Sequence, residues 1–146
     1  MKKFTFTLDP LARVKDSEKT RQELLLARAQ QVLDRLTEQM ERQRERLRAH
    51  DLEFRAQMEA GMNGHKLREF NNFKTYLMES IEQLAIDIER AAEERDACRD
   101  ALVETMKEIR ALEKLREKQY RLYLEEVRRE EEKAIGDFVA FQVTNA

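Results

Sequence analysis

The residues of this chain with the chemistry for catalysis or metal binding are few in kind. There are two histidines, His50 and His65, one cysteine, Cys98, and 30 carboxylates. A histidine or thiolate metal site needs ligands one helical turn apart or in paired Cys-x2-Cys units, and neither His-x3-His nor Cys-x2-Cys occurs. A phosphate cradle needs a glycine-rich loop, and the chain has three scattered glycines. General acid–base work needs a carboxyl in an apolar pocket that moves its pKa, whereas the carboxylates here fall at surface positions of a helical repeat. His50 falls on an apolar helical seam and reads as a partly buried, hydrogen-bonded core histidine. His65 sits at a turn and reads as solvated. Cys98 is a seam residue and reads as a small hydrophobe. The expectation is a protein without catalytic residues, metal, cofactor or small-molecule substrate.

The elements that carry these residues are long helices. From Leu67 to Glu126 a heptad runs unbroken. Its a positions are Leu67, Lys74, Ile81, Ile88, Arg95, Leu102, Ile109, Arg116 and Tyr123. Its d positions are Phe70, Leu77, Leu84, Ala91, Cys98, Thr105, Leu112, Gln119 and Glu126. A seam repeating every ~3.5 residues marks a coiled coil and requires a partner helix. Lys74, Arg95 and Arg116, three heptads apart, either restrict register or extend their charged ends out of a two-stranded seam.

Upstream, Asp9 reads as an N-cap and Pro10 as the first helical residue. Helix 1 is expected from about 10 to 60, with a seam of Leu11, Val14, Leu25, Ala29, Val32, Leu36, Met40, Gln43, Leu47, His50, Phe54 and Met58. Gly61-Met62-Asn63-Gly64 is the one strong breaker, and a connection this short makes the flanking helices antiparallel neighbours. Helix 2 is expected from about 65 to 134, ended by Gly136, with a short tail over 135–146. The fold class is all-α: a single domain formed by an antiparallel two-helix coiled-coil hairpin, monomeric when isolated.

Charged residues make up 40% of the chain with a net charge of -2. Both signs are finely mixed. Even Arg42-Gln43-Arg44-Glu45-Arg46-Leu47-Arg48 is interleaved with acid, which argues against a nucleic-acid partner. Glu38–Arg42, Asp51–Arg55, Glu117–Arg121 and Glu125–Arg129 have the spacing of helix-stabilising pairs. No stretch approaches the ~20 apolar residues of a membrane span. The start has no secretion-signal pattern, and a lone cysteine fits a reducing cytosol.

Two surfaces exceed what a two-stranded coil uses. Helix 2 outruns helix 1 beyond about Leu115, and this overhang carries Leu115, Tyr120, Leu122, Tyr123, Leu124 and Val127. Only the extended Phe4-Phe6-Leu8 segment, a partner or another copy can cover it. Near the turn, Phe73 and Met78 also lie outside the seam. Exposed apolar residues of this sort mark interfaces.

The two ends also carry a resemblance. Lys3-Phe4-Thr5-Phe6-Thr7-Leu8-Asp9-Pro10-Leu11-Ala12-Arg13-Val14-Lys15 followed by Glu18 resembles the opening of the flagellar FliJ family. Leu112-Glu113-Lys114-Leu115-Arg116-Glu117-Lys118 through Tyr123, Glu130 and Lys133 to Ala134-Ile135-Gly136-Asp137-Phe138 resembles the family's closing pattern. That pattern commonly has Leu or Ile before Asp-Glu, where this chain has Gly136 and Phe138 around Asp137. The resemblance implies a non-enzymatic component of flagellar type III export, shaped like the stalk of a rotary ATPase. It is expected in the cytoplasm, peripherally at the inner membrane of the flagellar base. Its implied partners are the flagellar export ATPase, the export gate membrane protein and export chaperones. The ATPase-binding end would comprise Phe4, Phe6, Leu115, Tyr120, Leu122, Tyr123, Leu124 and Val127. The gate-binding face would comprise Phe73, Leu77, Ser80 and Leu84. The alternatives are a structural coiled-coil scaffold with no ATPase partner and the equivalent stalk of a non-flagellar secretion system.

Overall fold

The computed structural model describes residues 2–145. Two helices that pack against each other account for nearly all of them, α1 (Asp9–Ala60) and α2 (Gly64–Thr144), and no strand occurs among the described residues. The chain is an all-α helical hairpin. Pairings across the seam run in opposite senses along the two helices: Asp51 meets Lys74, Gln43 meets Ser80 and Gln30 meets Arg95.

Local chemistry sets the helix ends. Gly61 has φ +94°, a left-handed conformation that lacks a steric penalty only for glycine, and its N–H donates to the Met58 carbonyl at 3.2 Å. Asn63 caps α2. Its side-chain Oδ1 accepts from the Lys66 N–H at 2.8 Å, while its carbonyl accepts from Leu67. At the other start, the Leu8 carbonyl accepts from Ala12 and the Asp9 N–H bonds the Phe6 carbonyl. The cap is therefore Leu8, one residue earlier than expected. Asp9 lies inside the first turn, where its negative charge suits the helix dipole and its carboxylate holds Arg13 at 3.0 Å.

Two compact units divide the chain. One joins the segment up to Arg21 with the segment from Leu102 onward; the other spans Gln22–Ala101 and contains the turn. In the turn unit, α2 presents the expected heptad face from Phe70 on: Leu77 and Ala91 are buried, and Phe70, Ile81, Leu84, Ile88 and Cys98 are half-buried, whereas Leu67, expected to open the seam, is exposed beside the turn. On α1 the facing residues are Leu26, Ala29, Leu33, Leu36, Met40, Gln43, Leu47, His50 and Phe54. Leu25, Val32 and Met58, expected in the seam, are exposed. Lys74 reaches Asp51 at 3.2 Å and Arg95 reaches the Gln30 oxygen at 3.1 Å, so both charged a residues end on polar partners.

In the terminal unit the expected α1 seam is also displaced. Leu11 and Val14 are exposed, while Ala12, Lys15 and Glu18 are half-buried. Lys15 bonds Glu108 of α2 as well as Glu18, and these hydrogen bonds raise its pKa above 10.5. Thr105 is buried at this level. None of the four anticipated i,i+4 pairs forms among the described residues. Arg48 instead pairs with Glu41 and Glu45.

The larger departure is at the end of α2. Gly136 does not stop the helix, which runs on to Thr144. Gly136 does not take the positive φ of a glycine cap. A glycine inside a helix costs only ~1 kcal/mol, which its neighbours absorb.

Candidate docking surfaces

The terminal unit places Phe4, Phe6 and the α2 aromatics together. Residues 2–6 form an irregular strap along α2. Phe6 is its anchor, at 6% exposure, in a groove shared with Ile109, Leu112 and Arg116. Phe4 stands edge-on to Tyr120 at 5.1 Å and tilts against Tyr123 at 5.5 Å, with the Arg116 guanidinium over its ring at 5.5 Å. The Tyr123 hydroxyl donates to the Lys2 carbonyl at 2.7 Å, and the Gln119 amide donates to the Thr7 hydroxyl at 3.2 Å. The strap thus half-covers Tyr123, while Tyr120, Leu122 and Leu124 stay exposed and Leu115 and Val127 are half-buried. A cavity of about 360 Å³ lies between strap and helix, lined by Phe4, Leu122, Tyr123 and Val127 among others.

Beyond Val127 nothing in the unit touches the helix closely enough to cover it: every described residue from Arg128 on is exposed. This stretch carries Ile135, Phe138, Val139, Phe141 and Val143 at 51–72% exposure. Around a helix of 3.6 residues per turn these side chains occupy more than half the circumference. Sequence reasoning missed them because Gly136 reads as a terminator; the signal that was present is five large apolar residues within the nine positions 135–143.

The turn unit holds the second set. Leu77 is fully buried and so supports the surface from beneath. Phe73 is 39% exposed, with Arg46 5.6 Å over its ring. Ser80 accepts a hydrogen bond from the Gln43 amide at 3.1 Å. Ser80 and Leu84 line a cavity of about 260 Å³ with Gln39, Arg42, Gln43 and Arg46. His50 lies between Phe70 and Phe73, with ring centroids at 5.1 and 5.3 Å. It is buried, and neither ring nitrogen has a hydrogen-bond partner, contrary to the hydrogen-bonded histidine expected. His65, on the surface, meets Glu69 at 3.0 Å.

No group of three or more His, Cys, Asp or Glu side chains is positioned to hold a metal ion among the described residues. No helix is long and apolar enough to cross a membrane, again among the described residues. The arrangement is a helical hairpin with exposed apolar side chains in each unit. The model of the flagellar FliJ protein family matches residues 4–146, essentially the whole chain, and the chain belongs to that family. It is therefore a protein related to flagellar export, of a family of export components not known as enzymes. Neither the search of curated proteins nor the search of solved structures returned a match.

Proposed function

We propose that this protein is a stalk-like, non-enzymatic export component whose terminal end docks into the ring of the flagellar export ATPase and favours its assembly and activity. The observation that carries this reading is the bare end of α2. Ile135, Phe138, Val139, Phe141 and Val143 spread exposed apolar surface over more than half of the helix circumference, which fits a partner that encloses it. The half-strapped Tyr120, Tyr123 and Leu122 form the collar of the same docking end, with Phe4, Phe6, Leu115, Leu124 and Val127 shaping it. A body that binds the assembled ring better than free subunits raises the ring's population by mass action. In the turn unit, Phe73, Ser80 and Leu84, held up by Leu77, form the face for the export gate membrane protein. Export chaperones are further partners, and the working site is the cytoplasmic side of the inner membrane at the flagellar base.

The test is ATPase rate against ATPase concentration, with and without this protein. Stimulation is expected to be largest at low ATPase concentration, where the ring is least populated. The pair Phe138→Ala with Phe141→Ala, and separately Tyr120→Ala with Leu122→Ala, weakens stimulation while leaving helix content unchanged. Equal activity at every concentration, with no detectable complex, leaves a structural scaffold as the better reading.

A further inference from the structure

On α1, Leu25, Arg28, Val32, Arg35, Gln39 and Arg42 follow one another in alternating steps of three and four residues. Residues spaced this way share one face of a helix. Leu25 and Val32 are 43% and 41% exposed, with the exposed Leu24 beside them. Arg28, Arg35 and Arg42 are exposed, and none has an ion pair or side-chain hydrogen bond among the described residues. Glu38 flanks the stripe, three residues from Arg35 and four from Arg42, and pairs with neither. Arg13, Arg48 and Arg99 are engaged, with Asp9, with Glu41 and Glu45, and with Asp96. Among the described residues Arg44, Arg55, Arg90 and Arg110 are unpaired like the stripe, whose distinction is the apolar residues that share its face.

Apart from the half-buried Gln39, which with Arg42 lines the cavity beside Ser80 and Leu84, the packing of α1 on α2 does not use this stripe. Leu26, Ala29, Leu33, Leu36 and Met40 already face the seam. What remains is a second heptad pattern beside the first. Leu25 and Val32 are seven residues apart, and so are Arg28, Arg35 and Arg42 in turn. Apolar residues at one heptad position with a single sign of charge at another are what a neighbouring helix reads in a coiled coil. The stripe extends about 26 Å at 1.5 Å per residue, enough for two to three heptads of a partner.

We infer that this face docks an amphipathic, acidic helix from another protein. Its Leu or Ile residues would cover Leu25 and Val32, and its Asp or Glu residues, a heptad apart, would meet Arg28, Arg35 and Arg42. A nucleic-acid backbone fits less well, since it would engage the arginines and leave Leu24, Leu25 and Val32 in water. The surface belongs to the turn unit and does not depend on the export-ATPase reading.

The probe is a fluorescent 28-residue peptide with Leu at heptad positions a and d and Glu at e and g, titrated against the full chain by anisotropy. A second peptide carries Lys in place of Glu. The wild type is expected to bind the Glu peptide and not the Lys peptide. Arg28→Glu with Arg35→Glu weakens the Glu peptide at least about tenfold, since two exposed charge pairs become repulsions, and makes the Lys peptide the better ligand. Leu25→Ser with Val32→Ser also weakens the Glu peptide. Far-UV circular dichroism is unchanged in both variants, because all four positions are exposed. The inference is overturned if the Glu peptide fails to bind or binds the double-Glu variant as well as the wild type. It is equally overturned if a 20-nucleotide single strand displaces the Glu peptide and binds the double-Ser variant undiminished. Sedimentation gives the last outcome: a dimer of the wild type that the double-Glu variant abolishes would make a second copy the occupant.

Discussion

Within the terminal unit, two consecutive stretches of α2 are built from similar residues and treated oppositely. From Leu102 to Val127, one face is covered by α1 and the strap: Thr105 is buried, and Leu102, Ile109, Leu112, Leu115, Gln119, Tyr123 and Val127 are half-buried. From Arg128 to Asn145 every residue is exposed, although this stretch carries five large apolar side chains. Most helical stability in proteins comes from packing one apolar face and not from propensity alone. The first stretch is therefore held by tertiary contacts, and the second by its hydrogen bonds and its continuity with the first.

The largest expected difference is in hydrogen exchange. Amides from about 105 to 123 open only with the unit, whereas those from about 130 to 145 open by fraying. Protection factors should differ by at least about a hundredfold. Equal protection in the isolated protein would mean that the bare stretch is covered, by self-association or by folding back. On the proposed function, adding an export ATPase ring should raise protection in 130–145 more than in 105–123.

Next in size is a pair of phenylalanine truncations. Phe6→Ala removes the anchor of the strap and should cost about 2 kcal/mol in denaturant unfolding, below a deep-core Phe→Ala because a terminal segment can detach locally. Phe138→Ala removes a ring that meets solvent and should stay within about 0.5 kcal/mol. If Phe138→Ala proved as costly as Phe6→Ala, the two stretches would not differ in the way their burial indicates.

Ion pairs make a smaller contrast. Lys15–Glu108 joins α1 to α2, while Arg128–Glu132, at 3.9 Å, lies within one bare helix. The pKa of Lys15 is raised by its hydrogen bonds to Glu108 and then Glu18. A raised folded-state pKa gives stability that is fully present below the ordinary value of 10.5 and is lost as pH rises through the raised value. The stability difference between wild type and Lys15→Met should thus be flat from pH 7 to about 9.5 and close in more alkaline solution. Arg128→Gln should show no pH-dependent difference there.

The same contrast governs what could be read from the sequence. The α2 seam was legible from Phe70 to Tyr123, Arg116 excepted, because its heptad is strict and its polar a residues Lys74 and Arg95 end on Asp51 and Gln30 without breaking phase; Leu67 and Arg116, also at a, are exposed. The turn was legible because Gly61 needs a positive φ and Asn63 a capping bond, and both are written in residue type. The first half of the α1 seam was misread for a physical reason. Leu11, Val14, Leu25 and Val32 are the more apolar stripe, yet the packed residues include Ala12, Lys15 and Glu18, whose partners on α2 cannot be known from local spacing. Of the docking residues, the strap contacts of Phe4 and Phe6 were anticipated as one possible cover. The half-burial of Tyr123 beside the exposed Tyr120 depends on tertiary geometry alone. The bare apolar end was missed because glycine is compatible with both a helix end and a helix interior, and only the backbone decides.

Gly136 gives the smallest and most discriminating prediction. An alanine Cβ at this position would meet nothing within 4 Å, and the backbone is helical, so no strain opposes the change. Gly136→Ala should stabilise the local helix by about 0.5–1 kcal/mol. Because the bare stretch opens independently, the midpoint of global unfolding should stay put while exchange at 132–145 slows by about two- to fivefold. A shift in global stability would show that this stretch unfolds with the rest of the unit. The same variant also probes the partner. If an enclosing ring tolerates the added methyl, a more ordered helix should stimulate the ATPase at lower concentrations of this protein. If the ring approaches the helix backbone at Gly136, stimulation should fall although the free helix is more stable. Unchanged stimulation alongside slowed exchange would place the docking contacts on the Ile135–Phe138–Val139 side and away from Gly136.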